Sequence, residues 1–243
     1  ANPFKRVYWL NQGAQSFSIN ECVVAIDIKS DTTWATSFQD RQVNILNGAT
    51  LTVSVPMALD TVMMEEDAQV VFTATEGKFT ARSLRFAPLL SATGWKAFGM
   101  PFTSAVIKNS TEEEILAPSV QNVDNGIWFA RLKDNKTPEF VVDESAFGMA
   151  GLWAANGDTY TISSEGAFEF KTLEEPAAPT ETGTFLMCSN PNTFTITLKQ
   201  SAYILTTDGT SFEQEANPEI KPFQSFVCLL YTSPSPRDMR RSR

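Results

Sequence analysis

The stretch "QNVDNG" (121–126) carries three hard oxygen donors, Asn122, Asp124 and Asn125, just ahead of a glycine. Donors of this kind on a tight bend suit Ca²⁺, which takes carboxylate and carbonyl oxygens in flexible geometry. The spacing departs from the D-x-[DN]-x-[DN]-G loop, and Asn-Gly is first of all a hairpin turn. Both readings stay open, and Ca²⁺ is the one cofactor the donors suggest. Asp27 and Asp31 in "DIKSD" pose the same choice.

Two carboxylate groups, Glu112-Glu113-Glu114 and Asp143-Glu144, raise glycoside hydrolysis. That chemistry needs two carboxyl groups facing each other across a cleft. Adjacent carboxylates on a solvated surface are the ordinary alternative.

Sugar binding needs exposed aromatic faces. Trp34, in the polar run "SDTTWATS", is expected to be partly exposed. Trp153 stands beside "AANGD", where Asn156 and Asp158 offer polar partners for a ligand, and Tyr8 with Trp9 is a third candidate platform. Trp95 and Trp128 lie inside strand patterns and are assigned to the core, which is the alternative place for every Trp.

Other chemistry is excluded by composition. The chain has 243 residues and no histidine, so Ser-His-Asp and Cys-His catalysis, HExxH zinc sites and imidazole proton transfer are all ruled out. Three cysteines, Cys22, Cys188 and Cys228, are too widely spaced for a metal motif. Cys22 and Cys188 either pair in space or serve as small buried apolar residues. The formal charge is −9, but four Arg and one Asp fall in residues 228–243, leaving 15 basic and 27 acidic residues, a formal −12, on the body. Such a surface repels phosphate backbones, so no nucleic-acid partner is expected. No run reaches the roughly 18 apolar residues of a membrane span, and no membrane insertion is expected of this piece. The chain opens on Ala1 with no visible signal peptide, and is expected to be continuous with N-terminal domains outside this sequence.

These candidates would be carried by strands. "GATLTVSV" (48–55) puts Ala49, Leu51, Val53 and Val55 on one face. "AQVVFTA" (68–74) does the same with Ala68, Val70, Phe72 and Ala74. "FTARSLRF" (79–86) slips by one residue between Ala81 and Leu84, which reads as a bulge or a corner. Short strands this close together predict a β-ladder or solenoid-like region over residues 1–93. A helix of about two turns is predicted after Thr111, whose capping box with Glu114 precedes Pro118. Beyond Gly94, strand patterns at 127–132, 139–142, 159–162, 167–170, 184–189, 193–198, 202–207 and 223–227 alternate with turns such as "SNPN" and "TDGT". They predict an antiparallel β-sandwich over 94–227, and an all-β chain throughout.

The stretches "GWKAFGMPF" (94–102), "LWAANGDTYTI" (152–162), "GTF" (183–185), "AYILTTDGTSFE" (202–213) and "IKPFQSFV" (220–227) resemble a β-rich C-terminal module of Bacteroidetes cell-surface and secreted proteins. The resemblance covers roughly residues 43–227. At "TYTI" the family more often has Pro before the Tyr. The resemblance implies an extracellular or cell-surface, non-catalytic, structural or adhesive part of a larger bacterial protein. Its expected partners are polysaccharide or a host-surface glycoprotein, and it supplies no catalytic residues. The alternative is a carbohydrate-binding or accessory domain of a glycan-degrading enzyme.

The end of the chain has a different likeness. "CLLYTSPSPRD" (228–238) resembles the translated read-through of a transposase-type sequencing-library adaptor, and Ser242-Arg243 match its continuation beyond a variable index. Residues 228–243 are therefore expected to be an artefactual, exposed and disordered tail.

Overall fold

The computed structural model describes residues 25–90, 93–99, 105–115, 127–133, 137–140, 150–155, 159–176 and 185–229. Among them every regular element is a β-strand, so the chain is all-β.

The first part is a stack of parallel coils. Strands β1 (Ala25–Ile28), β3 (Gln42–Ile45), β5 (Met57–Glu65) and β7 (Phe79–Ala87) pair in parallel in one sheet. Strands β2 (Thr32–Trp34), β4 (Thr50–Val53) and β6 (Gln69–Phe72) pair in parallel in a second. Each coil lays one strand on each sheet, so the chain climbs as a solenoid whose inward side chains stack in columns. Val43, Val62 and Leu84 form one column, fully buried, and Leu51 and Val70 form another. The alternation expected at 48–55 and 68–74 is what points these residues inward.

The slip in "FTARSLRF" is a corner. β5 and β7 turn together, with Asp60 and Arg82 at the bend between Leu59↔Ala81 and Thr61↔Ser83. Arg82 bridges the bend to Asp40 at 2.9 Å and Asp60 at 3.5 Å. These pairs are solvent-exposed and contribute at most about 1 kcal/mol.

The stack does not stop at Gly94. The edge of β7 is taken by antiparallel strands from further along the chain: β14 (Thr161–Ser164) at Phe86 and Arg85, and β15 (Phe168–Phe170) at its start. β14 in turn carries β9 (Ala105–Lys108) and then β10 (Glu114–Ile115). One sheet thus runs from parallel coils into antiparallel strands.

β10 replaces the helix predicted after Thr111. Asn109 Oδ1 accepts from Thr111 N, Thr111 Oγ1 and Glu113 N, and Glu112 adopts a positive φ of 63°. The first two of these bonds occupy the Thr111 amide and hydroxyl that a capping box would have used. The chain reverses, pairing Glu114 with Lys108 and Ile115 with Ile107. A two-turn helix is marginal alone, whereas the hairpin packs Ile115 on the main core. Residues 116–118 lie outside the described residues.

Two further antiparallel sheets complete the fold. One is β12 (Thr137–Phe140), β11 (Ile127–Lys133), β13 (Gly151–Ala155) and β8 (Lys96–Phe98). The other is β16 (Phe185–Ser189), β21 (Ser225–Leu229), β18 (Ala202–Leu205) and β19 (Phe212–Glu215). A short pair, β17 (Ile196–Thr197) and β20 (Glu219–Ile220), lies beside them. Gly94 and Gly209 meet where the "TDGT" turn touches the start of β8: Trp95 N donates to Gly209 O at 3.1 Å. Gly209 sits at φ 69°, and a Cβ there would strike the Trp95 backbone.

The expectation that 228–243 lacks structure fails at its first two residues. Cys228 and Leu229 continue β21, paired with Leu186 and Phe185, and Cys228 is buried because that strand face covers a small core. Residues 230–243 lie outside the described residues.

Candidate functional site

Two clefts among the described residues of the second half have room for chemistry. The larger, about 500 Å³, lies beside β17 and β21. That size suits a small ligand. Leu173, Pro176, Phe194, Ile196 and Leu198 make it apolar, Glu175 and Lys199 sit on its lining, and Cys228 reaches it from β21.

Cys228 is one of two thiols there. The register pairs Cys188 with Phe226 and Leu186 with Cys228, so the thiols are diagonal neighbours on one face of β16 and β21. Diagonal partners lie about 7–8 Å apart, beyond the usual reach of a disulfide, and both cysteines are free. Their hydrogen bond splits their acidities. The Cys188 thiol is pushed up, first by that bond and then by burial, while Cys228 is drawn down by the same bond and by the Gln200 amide. Gln200 Nε2 donates to Cys228 Sγ at 3.6 Å. Cys228 is therefore the more readily ionised sulfur, but it is only 2% exposed and no imidazole exists to act as its base. Cys22, whose pairing with Cys188 is one of the two alternatives read from sequence, lies outside the described residues.

The smaller cleft, about 240 Å³, is lined by Glu169, Lys171, Glu174, Asn192 and Thr193. Its polar groups are already matched. Lys171 Nζ donates to Glu174 at 2.7 Å, and Lys78 Nζ to Glu169 at 2.6 Å. The Glu174 bond and charge raise the Lys171 pKa. Asn192 clasps the Glu174 backbone at both ends, Oδ1 accepting from N and Nδ2 donating to O, each at 2.7 Å. A glycosidase acid is held protonated by an apolar pocket or a second carboxylate. Here each carboxylate has its own lysine.

Of the sugar platforms proposed from sequence, Trp34 and Trp153 are buried, and Tyr8 and Trp9 lie outside the described residues. Trp153 is fully buried, stacked on Phe98 with ring centroids 4.6 Å apart and tilted against Phe129 at 4.9 Å. Its Nε1 donates to Phe98 O at 3.1 Å, which satisfies the one polar atom burial would strand. Trp34 is 9% exposed, because the polar run around it alternates: Thr33 faces out while Trp34 packs on Phe38 inside the solenoid. Trp95 and Trp128, assigned to the core, are only half-buried. Asn156 and Asp158 lie outside the described residues, as do Asn122, Asp124, Asn125, Asp143 and Glu144.

Asp27 and Asp31 do not converge. Asp27 Oδ1 accepts from Asn44 Nδ2 at 2.9 Å and Asp31 Oδ1 from Thr50 N at 3.0 Å, so each holds the next coil on a different side. Among the described residues, no three His, Cys, Asp or Glu are grouped to hold a metal ion.

No family model, curated protein or solved structure matches this chain.

Geometry is left to carry the functional reading, and it brings forward a residue pair that sequence reasoning passed over. "SNPN" reads as a turn, yet Asn190 is fully buried. Its Nδ2 donates to Phe194 O, Ile220 O and Lys221 O at 2.8–3.0 Å, and its Oδ1 accepts from Asn192 N and Nδ2. The signal was present as two Asn at i and i+2 between strands. That spacing lets one side chain close the loop on the other.

Proposed function

We propose that this chain is a non-catalytic, extracellular structural module of a larger bacterial surface protein. The observation that carries this reading is that its polar side chains are spent on one another. The carboxylates of the smaller cleft are ion-paired, the buried amides close loops, and Trp34 and Trp153 fill cores. A sheet that passes unbroken from parallel coils to antiparallel strands suits a spacer that keeps its shape under load. Among the described residues no helix is long and apolar enough to cross a membrane.

The surface location rests on the resemblance to Bacteroidetes surface modules and on the acidic composition. With Trp34 and Trp153 inside, the carbohydrate-binding alternative keeps Tyr8, Trp9, Asn156 and Asp158, all outside the described residues.

Two measurements test the proposal. Antibodies to the purified chain should label intact cells of the producing bacterium, and external protease should remove the label. A broad glycan array should return no binder. Label found only after cell lysis would refute the location, and a specific glycan hit would return the protein to the carbohydrate-binding class.

A further inference from the structure

Arg85 stands apart from the pairing of polar groups described above. Leu84 and Phe86 on either side of it are buried, so strand alternation turns Arg85 to the outer face of the first sheet. It is half-buried there, and so are Lys96 and Lys108 where they stand. Each of those two lysines has an acid: Lys96 meets Glu66, and Lys108 meets Glu112 at 3.8 Å. Arg85 forms no ion pair and no hydrogen bond among the described residues. Its Nε is, among those residues, the one buried side-chain nitrogen or oxygen without a hydrogen-bond partner.

The register places donors around this guanidinium. Ser163 on β14 lies directly opposite Arg85, and Ser83 precedes it by two on β7, so both hydroxyls share its face. Neither hydroxyl is hydrogen-bonded among the described residues. Met63 flanks Arg85 from β5, and Val106 on β9 lies beyond Ser163. The acids closest in register are not matched to it. Glu65, diagonal to Arg85 across β5, accepts from Asn47 N at 3.0 Å, and Glu165, just past the end of β14, forms no pair with Arg85.

A guanidinium drawn partly out of water without a counter-charge gives up hydration that no protein group returns. An anion seated on it restores that loss, and a partly desolvated pair attracts more strongly than one in open water. We propose that Arg85, Ser83 and Ser163 form a carboxylate-binding site whose ligand is a small organic acid. The Nη groups, which are not buried, present two N–H donors to the two oxygens of a planar carboxylate, and the hydroxyls add donors at its sides. One positive charge on an acidic body disfavours multiply charged anions. Met63 and Val106 give a short carbon chain an apolar flank. The inference does not depend on the surface role proposed above.

The test uses the full chain and two probes, propionate and its neutral counterpart propionamide, at constant ionic strength. NMR of the arginine Nε–H groups and the backbone amides reads the site. Propionate should move the Arg85 Nε–H and the Ser163 amide along a saturating curve, and propionamide should not. Arg85→Lys keeps the charge but loses the fork, and should weaken binding at least about tenfold. Ser163→Ala should weaken it by about threefold or more. Arg41→Lys, at an exposed arginine outside the site, should leave it unchanged. If Arg85→Lys does not fold, the two probes on the unaltered chain decide. A saturating response to propionate alone, reduced in Arg85→Lys and Ser163→Ala, supports the site. No saturation, an equal response to propionamide, the same response at Arg41, tighter binding of sulfate, or binding unchanged in either site variant overturns it.

Discussion

Thr193 and Val70 hold each other at both ends. Val70 N donates to Thr193 O at 2.7 Å, and Thr193 Oγ1 donates back to Val70 O at 2.7 Å. The pair closes the last coil of the second sheet with a residue more than a hundred positions away, and Thr193 itself is buried. Gln69 extends the clamp by accepting from Thr195 N at 2.9 Å. Thr193→Val keeps the shape but leaves Val70 O without its donor. It should destabilise the fold by about 1–3 kcal/mol, read as a lower Tm in thermal unfolding. Thr193→Ser should lose less. A larger loss in Thr193→Ser than in Thr193→Val would show that the methyl group, not the hydroxyl, matters.

Trp153 separates a core role from a ligand role. Trp153→Ala should cost about 3–5 kcal/mol, because it empties the space between Phe98 and Phe129. Trp153→Phe should cost less, retaining a ring but not the bond to Phe98 O. Denaturant unfolding of both variants checks the order. A Trp153→Ala protein as stable as the parent would contradict its burial.

Glu66 and Lys96 tie the solenoid to β8. The Glu66 carboxylate accepts from Lys96 Nζ and from Leu89 N, and both side chains are mostly buried. Removing either partner strands the other, so Glu66→Gln and Lys96→Met should each destabilise. A double-mutant cycle should return a coupling of about 0.5–3 kcal/mol. Additive effects would mean that the pair is not coupled.

Asp208 gives a pH signature. The hydroxyls of Thr206 and Thr210 and the Thr210 amide hold its carboxyl below the usual carboxylate range. A carboxyl with a depressed folded pKa contributes stability in full above its unfolded value, near pH 4, and loses it as pH falls through the lower folded value. An NMR titration should place the Asp208 midpoint below that of an unstructured Asp, and Thr206→Val should move it upward. A midpoint unchanged by Thr206→Val would remove the hydroxyl as the cause.

Much of the fold was legible because period-2 alternation is a direct consequence of strand geometry. Leu51, Val53, Val70 and Phe72 face inward as their spacing requires, and the slip after Ala81 marks a real corner. Local signals failed where tertiary partners decided. The capping box at Thr111 lost to a hairpin because β9 offers a pairing edge and Ile115 a place in the core. Trp34 was misread because its neighbours are polar, yet only alternate neighbours share its face. The Asn190 network was illegible for another reason: two of its acceptors, Ile220 O and Lys221 O, lie 30 and 31 residues further along the chain.

The parallel stack also sets a length. Each coil pairs its strands with those of the coils directly above and below it, and each adds one strand spacing of about 4.8 Å along the axis. Inserting or deleting a coil ahead of β5 would move the start of the stack in steps of that size and leave the contacts of Glu66, Asp67, Gln69 and Val70 with the antiparallel part in place. The solenoid is in this sense a ruler, and its reach is adjustable by gain or loss of a repeat without redesign of either end.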